Sequence, residues 1–71
     1  MSSLKIRINS RVYTIRSSRR GINFGVGASC RIGGRNYSES QTYPVGHEST
    51  ACDDVARQIV ARYPGAQLIG E

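Results

Sequence analysis

Between residues 22 and 32 every even position is apolar and every odd position is polar or glycine. Ile22, Phe24, Val26, Ala28, Cys30 and Ile32 alternate with Asn23, Gly25, Gly27, Ser29 and Arg31. A helix repeats its buried face every three or four residues, so a strict period of two predicts one long strand with a core face and an open face. Gly33-Gly34 follows, and both positions tolerate the positive φ of a tight hairpin turn. The return strand is expected from Arg35 to about Tyr43, with Tyr37 opposite Cys30 and Tyr43 opposite Phe24. Asn36, Ser38, Ser40 and Thr42 form its open face. Glu39 and Gln41 fall on its core face, which predicts an edge strand or a bulge.

A second hairpin is expected upstream. Leu4, Ile6 and Ile8 alternate with Lys5, Arg7 and Asn9, and Asn9-Ser10 makes a two-residue turn. Pairing across it sets Ile8 opposite Arg11, Ile6 opposite Tyr13 and Leu4 opposite Ile15, so apolar meets apolar on one face. The hairpin covers about residues 3–16, and Ser17-Ser18-Arg19-Arg20-Gly21 reads as a loop. After Pro44, Thr50 with Asp53 fits a capping box. Cys52, Val55, Ala56, Ile59, Val60 and Tyr63 then recur on one helical face until Pro64-Gly65 stops the helix. Gln67-Leu68-Ile69 reads as a short final strand or a strap on the core.

The expected fold is α+β: a four-stranded antiparallel sheet of two hairpins with one C-terminal helix packed on one face. The 71 residues make a single compact basic domain, 1–71, with a thin core. No apolar run is long enough for a membrane span and no signal peptide is evident, so a cytoplasmic protein of the producing or host cell is expected. Two cysteines do not make a disulfide framework, and Cys30 and Cys52 read as buried thiols.

Charge is the functional hint. Eight cations and no acid precede Glu39, and from there the balance is −3, leaving +5 overall. A field this polarised steers polyanions or acidic partners. The open sheet face is expected to show Lys5, Arg7 and Arg31 with Asn23 and Asn36. Arg19 and Arg20 lie in the loop and Arg35 starts the return strand. These six cations are the candidate contacts for nucleic acid or for an acidic protein, set against a plainly solvated face.

Catalytic and cofactor sites find no support. Gly25-x-Gly27 lies inside a strand and Gly33-Gly34 in a turn, so neither cradles a phosphate ahead of a helix. Cys52 with His47 is the nearest approach to a nucleophile pair, but Cys52 belongs to the apolar stripe. Asp53-Asp54 reads as a helix-start feature. Cys30, Cys52 and His47 fall short of a zinc set. The expectation is no metal, no cofactor, no small-molecule substrate and no enzymatic activity.

The order strand, strand, strand, helix resembles that of small double-stranded-RNA-binding domains and of the arm-binding domains of phage integrases. The basic motif that opens the last helix of the former is replaced here by Cys52-Asp53-Asp54, which leaves the sheet or a loop as the contact surface. The layout also resembles several small anti-CRISPR proteins of phages. The leading expectation is nucleic-acid binding through phosphates with little sequence specificity. The alternative is a phage-type protein–protein inhibitor of a host nucleoprotein defence complex, its arginines pairing with acidic residues of the target. A homodimer through the 35–43 edge strand is a third reading.

Overall fold

The computed structural model describes residues 3–19 and 25–70. They form an α+β fold in which one antiparallel sheet carries a helix on one face. The strands are β1 (Ser3–Ile8), β2 (Arg11–Arg19), β3 (Val26–Ile32), β4 (Arg35–Ser38) and β5 (Gln67–Gly70), with helix α1 (Glu48–Arg62) between β4 and β5. Across the sheet they run β4-β3-β2-β1-β5. The sheet therefore has five strands rather than four. The C-terminal residues form neither a strap nor part of the core but an exposed edge strand paired to β1.

Both turns follow from their residues. Asn9 takes φ 57° between Ile8 and Arg11, and Gly33 and Gly34 take 59° and 81°. The first hairpin has the expected register, Leu4 with Ile15 and Ile6 with Tyr13. The second pairs Cys30 with Tyr37.

Three elements depart from expectation. Ser17–Arg19 are not loop but the end of β2, paired with Val26–Ala28. The backbone ladder to β3, a long-range pairing, overrides the local Ser-rich composition. The return strand ends at Ser38 instead of Tyr43. The chain bulges away over 39–42 and rejoins through an isolated bridge that sets Tyr43 opposite Val26. The expected partner Phe24 lies outside the described residues, as do Arg20, Gly21, Ile22 and Asn23. Glu39 explains the departure, because its carboxylate accepts the Ala28 N–H at 3.1 Å where β4 no longer does. Finally, α1 starts at Glu48 behind His47 without a side-chain cap. The Pro44–His47 turn, closed by His47 N–H to the Pro44 carbonyl at 3.0 Å, already delivers the chain in helical direction, so Thr50 lies inside the helix.

The core lies between α1 and the sheet. Ile6, Ile15, Ala28, Cys30, Ile32 and Tyr37 meet Ala51, Cys52, Val55, Ala56 and Ile59. A fully buried isoleucine such as Ile15 or Ile59 contributes about 2–3 kcal/mol of apolar transfer. Both cysteines are buried free thiols, and Cys52 turns its Sγ toward the Ile15 carbonyl.

Asp54 is buried on the same helix and fastens the bulge to it. Its Oδ2 accepts from the Tyr43 hydroxyl at 2.6 Å, the Ser40 hydroxyl at 2.7 Å and the Ser40 N–H at 3.0 Å, while Gln58 donates to Oδ1 at 3.1 Å. Burial alone pushes this carboxyl up, but the donors from Tyr43, Ser40 and Gln58 outweigh it and hold the pKa at about 2. Folded Asp54 thus binds its proton more weakly than the unfolded chain does. Its stabilisation is complete above the unfolded value of 3.8 and is lost as pH falls toward 2. The hydrogen bonds that lower this pKa are only partly buried, and solvent screening there limits the effect to roughly 1–2 kcal/mol. Urea midpoints at about pH 5 and about pH 2 are expected to show this loss in the native chain and to lack it in Asp54→Asn. An equal acid loss in both chains would show that Asp54 contributes none of it.

Candidate functional site

The helix covers one face of the sheet and leaves the other open. Alternation assigns each strand residue to a face: Ile6, Ile15, Cys30 and Ile32 point to α1, so their neighbours Lys5, Arg7, Arg16 and Arg31 point away from it. All four are exposed. Lys5 pairs with Thr14, and the β2–β3 register, with Arg16 opposite Ser29, brings Arg31 to the other side of Thr14. Lys5 and Arg31 thus stand two strand spacings apart, about 10 Å, with Arg16 one row along. Arg7 flanks them beside Gln67 of β5.

The rest of this surface is uncharged, and it also exposes Val12 opposite Arg7. Thr14, Ser18, Gly27, Ser29, Asn36 and Ser38 separate the cations. None of the five strands contains an Asp or Glu. The strand aromatics Tyr13 and Tyr37 share the helix-facing register with the core, so the open face offers cations and hydrogen-bond donors but no ring from these strands on which a base could stack.

The expected contact residues divide accordingly. Lys5, Arg7 and Arg31 come together on the open face. Arg19 does not join them: it ends β2 on the helix side and borders a small recess of about 160 Å³ with Glu48. Arg35 is also on the helix side, its guanidinium 5.6 Å from the centre of the Tyr37 ring. Arg20 lies outside the described residues. Arg16 is the member that the sequence reading missed. Ile15 faces inward opposite Leu4, and that parity already sends the next residue to the face of Lys5.

Elsewhere the described residues offer little chemistry. No three His, Cys, Asp or Glu side chains among them are placed to hold a metal ion. No helix among them is long and apolar enough to cross a membrane. An apolar groove of about 480 Å³ lies between α1 and β5 and is lined by Ala56, Val60 and Leu68 with Thr50, Asp53 and Arg57. Val60, expected on the buried stripe, stands at its rim and is 36 % exposed.

Fold and face together define a small α+β domain whose sheet carries Lys5, Arg7, Arg16 and Arg31 on its open face. Comparison with protein-family models, with curated proteins and with solved structures gives no match.

Proposed function

We propose that this protein is a non-enzymatic nucleic-acid-binding domain that follows a phosphate backbone across the open face of its sheet, with little sequence specificity. What supports the reading is one observation: Lys5, Arg7, Arg16 and Arg31 stand together on the helix-free face of a sheet whose strands carry no acid. Guanidinium groups fork to phosphate oxygens, and displaced counterions supply the driving force. Hydroxyl and amide groups between the cations add uncharged contacts to the backbone. With no ring on these strands facing outward, bases are left unread.

Fluorescence anisotropy with labelled single- and double-stranded DNA and RNA tests this directly. Four phosphate contacts give a slope of log affinity on log salt of about −3 to −4, so affinity is expected to fall about a hundredfold between 50 and 200 mM salt. Changing the base sequence is expected to matter much less. Absence of binding at the lower salt overturns the reading and leaves an acidic protein, such as a component of a host nucleoprotein defence complex, as the target of the same arginines.

A further inference from the structure

β4 is an outer strand of the sheet, and its ladder decides which backbone groups face outward. The Gly33-Gly34 turn closes on the pair Ile32–Arg35, and the closing pair of a two-residue hairpin exchanges both hydrogen bonds. Alternation from that pair turns the backbone groups of Arg35 and Tyr37 toward β3 and those of Asn36 and Ser38 away from it. Two side chains report the same phase. Gln58 Nε2 donates to the Ser38 carbonyl from outside the sheet at 2.7 Å. Glu39 meets the Ala28 N–H on the side that β4 has left.

The N–H groups of Asn36 and Ser38 therefore face a recess of about 410 Å³ between β4 and the Gln58, Ala61 and Arg62 side of α1. Arg35 enters it from the strand, braced over the Tyr37 ring. Arg62 enters it from the last turn of the helix. No carboxylate lines it. An added peptide strand would need acceptors as well as donors along this edge, and with the Ser38 carbonyl taken by Gln58 only the Asn36 carbonyl is left. Two guanidinium groups and the two backbone N–H groups instead favour an anionic group. The recess also adjoins the open face, because Asn36 is paired with Arg31.

We infer that this recess is a phosphate subsite, at which the nucleic acid rounds the β4 edge from the open face toward α1. The inference rests on the nucleic-acid reading above. Its test compares Arg35→Gln/Arg62→Gln with Arg11→Gln/Arg57→Gln, which removes equal charge away from the recess. The probe is a labelled single-stranded oligonucleotide of mixed sequence. The first variant is expected to bind about tenfold more weakly than the second and to lower the salt slope by about one to two units. In the native chain, the amide resonances of Asn36 and Ser38 are expected to move on titration with the same oligonucleotide. If the native chain binds but the two variants behave alike and these amides stay still, the subsite is overturned and the open face stands. If the native chain does not bind, both fall together.

Discussion

A Gly25→Ala chain is expected to lose about 3 kcal/mol or more, most of the roughly 5 kcal/mol that a domain of this size holds. Gly25 has φ +110°, a conformation closed to residues with a side chain. A Cβ there would fall well inside van der Waals contact with the Tyr43 carbonyl oxygen. That oxygen cannot retreat cheaply. It accepts the Val26 N–H at 2.8 Å, and the Tyr43 ring is held through its hydroxyl by Asp54. Relief would have to break the Val26–Tyr43 bridge and loosen the bulge from the helix. A urea titration followed by far-ultraviolet circular dichroism measures the effect. A midpoint within about 1 kcal/mol of the native one would mean that the Gly25 backbone relaxes and the close approach is not structural.

The second large effect concerns binding. Replacing Lys5, Arg7, Arg16 and Arg31 together by Gln is expected to weaken nucleic-acid affinity roughly a thousandfold at low salt and to lower the salt slope by about 3. All four are exposed, so the change leaves the core alone. Like charges on one face repel, and the same substitutions are expected to leave thermal stability equal or slightly higher. Lost binding with retained stability would mark the face as a contact surface. Retained affinity with an unchanged slope would assign the binding to cations elsewhere.

Local pattern foretold what pattern controls. The period of two in β1 and β3 placed Lys5, Arg7 and Arg31 on the open face, and Asn9 and Gly33-Gly34 set both hairpin registers. Glu39 on a nominal core position signalled the bulge, because a carboxylate at that place needs a donor and the bulge brings it one. What depends on distant partners stayed hidden. Ser17–Arg19 look like a loop until Gly27 and Ala28 are set beside them. Asp54 looks like a helix-start acid until the 39–43 excursion delivers Ser40 and Tyr43 to it. Arg19 is as basic as its neighbours, yet its pairing with Val26 makes it strand and parity then puts it on the other side of the sheet. The outward N–H groups of Asn36 and Ser38 belong to the phase of a ladder and have no signature in residue type.

β5 gives the fold its longest reach in sequence. Lys5 lies beside Gly70 and Ile6 beside Leu68, so the first strand waits for nearly the whole chain before its second edge is filled. The two hairpins and the helix close over shorter loops, and loop-closure entropy favours them first. On that ordering the β1 edge is expected to be sealed last as the chain folds. During synthesis it stays an unpaired row of backbone donors and acceptors, open to association with another chain, until residues 67–70 arrive. The basic side chains of Lys5 and Arg7 on this strand then have a use before any ligand is met, since like charges keep two such unfinished edges apart.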